Sequence, residues 1–307
     1  MLENALVVAT QVLSLFLLMG IGFVLTKKKV FTEGGVSQMS YLLLNIVTPC
    51  IIVDTLQTDV NPALLQNIGI CAAAMVCMYL VGIAITPLFF RKQPEDTRIP
   101  LRFGMYYNNT GYMGLPLVQA VLGSEAVIYA AISVVVFNVM VWTHGAAMMG
   151  GKKAMSVKKA LINPGTVGLV AALPLFLLSI RLPQFLGSAV HSVGALNTPL
   201  AMVVIGSCMA SADLKRTFTQ RELYVSSAVK LLLIPTVVLL ALYPLHLDRL
   251  VYISCVVLAS APTAGVTTLF CTRFHRDPVR GSQLVTLCTI LSIATMPVFA
   301  ALANMLA

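Results

Sequence analysis

Apolar residues run along this chain in blocks, and polar positions are confined to the gaps between them. Ten blocks can be read between charged or turn-rich breaks: 4–26, 35–56, 66–90, 99–122, 126–149, 163–180, 187–212, 222–244, 249–271 and 282–306. About 20 helical residues cross the roughly 30 Å hydrocarbon core of a bilayer, so each block predicts a spanning helix. Backbone polar groups at that depth must be satisfied within the segment, and the expected fold class is an all-α integral membrane protein of ten transmembrane helices.

Two blocks are interrupted in their middle. The fourth carries "NNTGYMGLP", within the longer stretch Tyr106 to Gln119, and the ninth carries "SAPTAGVTT". Proline removes a backbone donor and its ring crowds the preceding turn, while glycine costs about 1 kcal/mol against alanine inside a helix. Both segments are expected to be unwound near mid-membrane. Such breaks are tolerated where protein or a water-filled cavity covers them, and free amides at half-helix N-termini suit an anion. Asn108, Asn109, Thr110 and Thr263 add side-chain donors beside Gly111, Pro116, Pro262 and Gly265. The alternative is a pair of ordinary proline kinks satisfied by neighbouring Ser, Thr and Asn.

Composition agrees with the block pattern. Of 307 residues 58% are hydrophobic and 10% charged, and the mean hydropathy is +0.91, too few charges to cover a soluble domain. The net charge of +9 suggests a nucleic-acid partner only until the bases are placed. If the first helix runs outward to inward, 17 of the 20 bases fall in inner loops: Lys27 to Lys29; Arg91, Lys92, Arg98, Arg102; Lys152, Lys153, Lys158, Lys159; Lys215, Arg216, Arg221; and Arg273, Arg276, Arg280. That bias sets the orientation, with both termini outside a cell membrane, and excludes nucleic acid. Glu3 without a preceding base, and lysines after the first block, predict a retained helix and no cleaved leader. The seven cysteines are scattered in apolar segments without a C-x-x-C pair, so neither disulfides nor a metal is expected.

Ten spans divide as five and five, 1–150 and 151–307. An odd number per half inverts the second half, a hallmark of secondary transporters. Pro49, Pro87 and Pro116 fall in spans two to four, as Pro199, Pro235 and Pro262 fall in spans seven to nine, and Asn45 precedes Pro49 as Asn197 precedes Pro199.

These residues carry a resemblance. "NTGYMGLPL" is similar to the fourth-helix motif of the auxin efflux carrier family, which includes plant PIN-type carriers and bacterial organic-acid permeases. "APTAGVTTLFCTRFHRDP" resembles its ninth helix and following loop, and "KLLLIP", Lys230 to Pro235, its eighth. The likeness covers nearly the whole chain. It implies helices four and nine crossing at their breaks, a transport domain of spans three to five and eight to ten, a scaffold of spans one, two, six and seven, elevator-type movement and a homodimer. Asn109 and Pro116 match the first crossover, Pro262 and Gly265 the second. The loop "GGKKAMSVKK" lacks the long insert of plant members, and Thr263 stands where they tend to have glutamine, so neither their regulation nor auxin as substrate follows.

Lys230, inside the eighth span, is either a counter-charge for an anion or a residue snorkelling to the surface. Asp54 reads as a hydrated carboxylate, with a coupling-proton site the alternative; Asp213 as a solvated ion-pair partner of Lys215 and Arg216; and His144, His191, His246 and His275 as isolated, with a proton relay the alternative. Trp142, Tyr106, Tyr107 and Tyr129 read as packing or interfacial anchors. The chain carries no phosphate-cradling loop, nucleophile elbow or H-E-x-x-H, so no enzyme and no cofactor is expected. The leading expectation is a secondary transporter of a small organic anion, such as a malate- or malonate-type carboxylate or an auxin-like acid. A ligand sensor that keeps the fold, or a channel, is the competing class.

Overall fold

A computed structural model describes residues 2–156, 158–159, 162–210 and 214–307; Asp213 lies outside them. These residues form helices joined by short turns, with no strand among them. In chain order the helices are α1 (Leu2–Lys27), α2 (Glu33–Thr55), α3 (Pro62–Leu88), α4 (Glu95–Gly104), α5 (Thr110–Leu122) and α6 (Ser124–Gly150). The remainder are α7 (Pro164–Leu177), α8 (Gln184–Ala210), α9 (Arg221–Leu245), α10 (Arg249–Ser260), α11 (Val266–Arg273) and α12 (Pro278–Leu306).

Among the described residues six helices are long and apolar enough to cross a membrane: α2, α3, α6, α8, α9 and α12. Shorter apolar helices occupy the other blocks: Leu13–Lys27 within α1, α5, α7 and α10. The fourth and ninth blocks each resolve into two pieces, α4 with α5 and α10 with α11.

Local chemistry sets the helix starts. α3, α7 and α12 begin at Asn61-Pro62, Asn163-Pro164 and Asp277-Pro278, where the side-chain oxygen accepts from the amide three residues on, at 2.7, 3.0 and 3.0 Å. Proline fits the next position because that amide has no helical acceptor anyway. This signal places the starts of α3 and α12 earlier than their apolar blocks begin.

Three of the interior prolines are accommodated by widening the helix. Single π turns at Leu43–Val47, Thr110–Gly114 and Val229–Leu233 are each followed, two residues later, by Pro49, Pro116 and Pro235. A proline nitrogen cannot reach back to the carbonyl four residues earlier, and the extra residue of a π turn absorbs the mismatch. Pro87 differs from Pro235, its expected counterpart: it sits in a 3-10 turn, Thr86–Leu88, at the end of α3.

Two packing features frame the centre. α1 and α8 meet backbone to backbone, because a side chain at Gly22 would overlap Val203 and one at Gly206 would overlap Met19; close approach through small residues is how helices associate without a hydrophobic drive. α10 is buried on every side, with each residue from Val251 to Ala264 shielded. At one rim, Arg276 binds Glu95 and Asp96, both at 2.8 Å, and donates to the Met149 carbonyl at 3.1 Å, tying the α11–α12 turn to α4 and α6. These hydrogen bonds, first to Asp96, hold the guanidinium pKa above its ordinary value.

Candidate functional site

The two interrupted blocks are unwound at Met105 to Asn109 and at Ala261 to Gly265. The first break thus lies before Thr110, and Pro116 sits in resumed helix after the π turn, a correction to the expected unwinding through "NNTGYMGLP". The residue responsible is Asn109, whose side-chain oxygen accepts from the Tyr112 amide at 3.2 Å and so starts a new helix.

Each break satisfies the other. The Asn109 amide donates to the Pro262 carbonyl at 2.7 Å and the Ala264 amide to the Tyr107 carbonyl at 2.8 Å, forming an isolated antiparallel bridge between Asn108 and Thr263. A buried backbone group left unpaired costs several kcal/mol, so this mutual pairing is what allows both helices to stop here. Side chains reinforce it. Tyr79 of α3 donates to the Asn108 oxygen at 2.6 Å, and the Asn108 amide donates to the Leu258 carbonyl at 2.6 Å. The Thr263 hydroxyl donates to the Gly104 carbonyl at 2.7 Å. Asn108 and Thr263, both fully buried, therefore direct their polar groups into the protein.

What remains open lies on the helix starts. Among the described residues the Gly111, Gly265 and Val266 amides have no protein acceptor. A methyl group at Gly111 or Gly265 would meet no atom within 4 Å, and Gly265 is exposed. Among the described residues the half-buried Asn109 keeps its side-chain NH2, and Thr110 its hydroxyl, free of partners. These donors, at the positive ends of α5 and α11, can receive a carboxylate. Thr267, in the first turn of α11, has a buried hydroxyl without a partner; it lay within "SAPTAGVTT", and no periodicity set it apart from its neighbours.

Lys230 is fully buried and does not snorkel: its ammonium donates to the Ala259 carbonyl at 2.9 Å, in the last turn of α10. It thereby meets carbonyls at the negative end of a half-helix. Asn45 donates to Tyr41 of its own helix at 2.9 Å. Three expectations change, those for Asp54, His191 and His144. Asp54 lies 2.9 Å from His191 instead of being merely hydrated, and His144 contacts the hydroxyls of Tyr107 and Tyr106 at 3.1 and 3.4 Å instead of standing isolated. Trp142 packs on Phe270 at 5.0 Å, with Lys159 and Arg273 over its ring.

Comparison with known sequences identifies a family. A family described as "Membrane transport protein" matches residues 7–158 and 152–300. The chain belongs to the auxin efflux carrier family. One relative, a protein of Rhizobium meliloti named "Putative malonate transporter", is 26% identical over 244 residues, 76% of this chain and 74% of its own. Another, an "Uncharacterized transporter" of Methanothermobacter thermautotrophicus, is 23% identical over 300 residues, 94% of this chain and 96% of its own. Within the auxin efflux carrier family, this chain is a multi-pass membrane transport protein.

Proposed function

We propose that this protein is a secondary transporter carrying a small organic dianion of the malonate type by alternating access. The observation that carries the reading is the pair of mutually bonded helix breaks, whose Gly111, Gly265 and Val266 amides are left without protein acceptors beside open space. Two helix starts each present about half a positive charge, enough to hold a carboxylate apiece without a buried acid having to leave. Asn109 and Thr110 contact the substrate, while Asn108, Thr263 and Pro262 hold the breaks in place. Lys230, one helix away, supplies a fixed positive charge.

In this reading the six long and four shorter apolar helices make ten spans in two inverted halves, with both termini outside and α5 and α11 starting at the crossing. α1, α2, α7 and α8 form the scaffold, and the rest move as one body in an elevator stroke within a homodimer. A small apolar cavity lined by Leu15, Met19, Met113, Met202 and Met296 lies where α1 and α8 pack against α5 and α12; flexible methionines suit surfaces that must repack as they slide. Uptake of labelled malonate into proteoliposomes tests the proposal. Saturable uptake that Asn109→Ala reduces supports it, and no flux of malonate or related carboxylates would refute it.

A further inference from the structure

The hydrogen-bond polarity around His144 defines its proton inventory. Tyr107 donates its hydroxyl proton to the Met140 carbonyl at 2.9 Å, and Tyr106 donates its own to the Met148 sulfur at 3.1 Å. Both oxygens therefore face Nδ1 of His144 as acceptors, at 3.1 and 3.4 Å. With both hydroxyl protons so directed, Nδ1 carries the hydrogen, and Nε2, which has no partner among the described residues, keeps its lone pair. A proton arriving at half-buried His144 binds there without breaking any bond now made.

The position connects to the helix breaks. His144 lies in a π turn, Val141–Gly145, of α6, and single π turns often mark functional positions. Gly145 lets the Tyr107 ring approach, since a methyl group there would stand 3.0 Å from its hydroxyl. The carbonyl of the same Tyr107 accepts from Ala264, next to the open Gly265 amide. Tyr106 and Tyr107 touch the ring, and the helices packed against α6 carry Tyr79 on α3, Arg102 on α4, and Cys271 and Arg273 on α11. The acids at the start of α4, Glu95 and Asp96, are held by Arg276. No carboxylate among the described residues pairs with His144. An imidazolium there would find its counter-charge in an anion bound at the helix starts, to which Tyr107 connects it.

We propose that His144 binds the proton that accompanies the substrate, so that the protein is a proton-coupled anion transporter. This rests on the transport reading above and adds the coupling ion. Anion and proton favour each other's binding, by the same factor in both directions. The proton enters on Nε2 from water on one side and leaves to water on the other.

Proteoliposomes holding a pH dye, with the membrane potential clamped, test this. The expected result is lumen acidification in step with malonate entry, and malonate affinity about tenfold tighter at about pH 5.5 than at about pH 7.5, which bracket the ordinary imidazole range. His144→Asn keeps an N–H for Tyr107 but cannot titrate, and should move or bind malonate with neither the dye signal nor the pH dependence. His144→Gln provides the same readout if the first variant does not fold. Wild-type malonate entry without acidification, or an unchanged pH dependence in both variants, overturns the coupling and leaves transport standing. No wild-type entry at all overturns both.

Discussion

Asn108 sits where the two breaks meet, and its removal tests whether their mutual pairing holds the centre together. Asn108→Ala orphans the buried Tyr79 hydroxyl and takes one donor from the Leu258 carbonyl, which keeps a 3.3 Å bond from the Ala261 amide. An unsatisfied buried group costs about 1–3 kcal/mol, and the carbonyl falls at the lower end, so the loss should be about 2–4 kcal/mol. Tyr79→Phe leaves only the Asn108 oxygen unpaired and should cost about 1–2 kcal/mol. In the double variant the orphaned hydroxyl is gone, so the two effects should fall short of their sum by about 1–2 kcal/mol. The single tryptophan, Trp142, reports unfolding in mixed detergent micelles. Additive effects, or an Asn108→Ala protein as stable as wild type, would show that the bonds to Asn108 do not hold the break.

Gly265→Val has room for its side chain and a permissive backbone, φ −60°, so stability should hold within about 1 kcal/mol while malonate uptake falls at least about tenfold; a proteoliposome assay beside a melting curve checks both. Lys230→Met replaces a buried cation with an apolar chain of similar length, a swap that is often near neutral for stability. Uptake should nevertheless fall about tenfold, and wild-type uptake would remove Lys230 from the mechanism. Gly206→Leu drives a side chain into the Met19 backbone and should separate α1 from α8, lowering stability by about 1–3 kcal/mol or more in the same unfolding assay. Arg276→Ala loses two ion pairs whose acids are 58% and 69% exposed. Its cost should be about 1 kcal/mol or less and shrink further in about 1 M salt, where exposed charges are screened.

The order of helical blocks was legible because burial in lipid demands long apolar runs: eight of the ten runs coincide with single helices to within a few residues, six of which are long and apolar enough to cross a membrane, and the fourth and ninth each split in two. The two interruptions were legible for a related reason: polar residues, glycine and proline at membrane depth need a compensating partner, and "NNTGYMGLP" and "SAPTAGVTT" are local signals of that need. Helix starts at Asn61-Pro62 and Asp277-Pro278 were also written locally, though hydropathy alone passes over them. Tertiary structure decided which donors stay open. Sequence gives Asn108, Asn109, Thr110 and Thr263 the same standing, yet Tyr79, Leu258 and Gly104, far away along the chain, take up Asn108 and Thr263 and leave Asn109 and Thr110. The same holds for Lys230, whose burial depends on where α10 stops, and for His144, whose tautomer is set by two tyrosines 37 and 38 residues before it. Hydrogen bonds saturate: a polar group's availability depends on what the fold has already paired with it, and only the folded chain settles that.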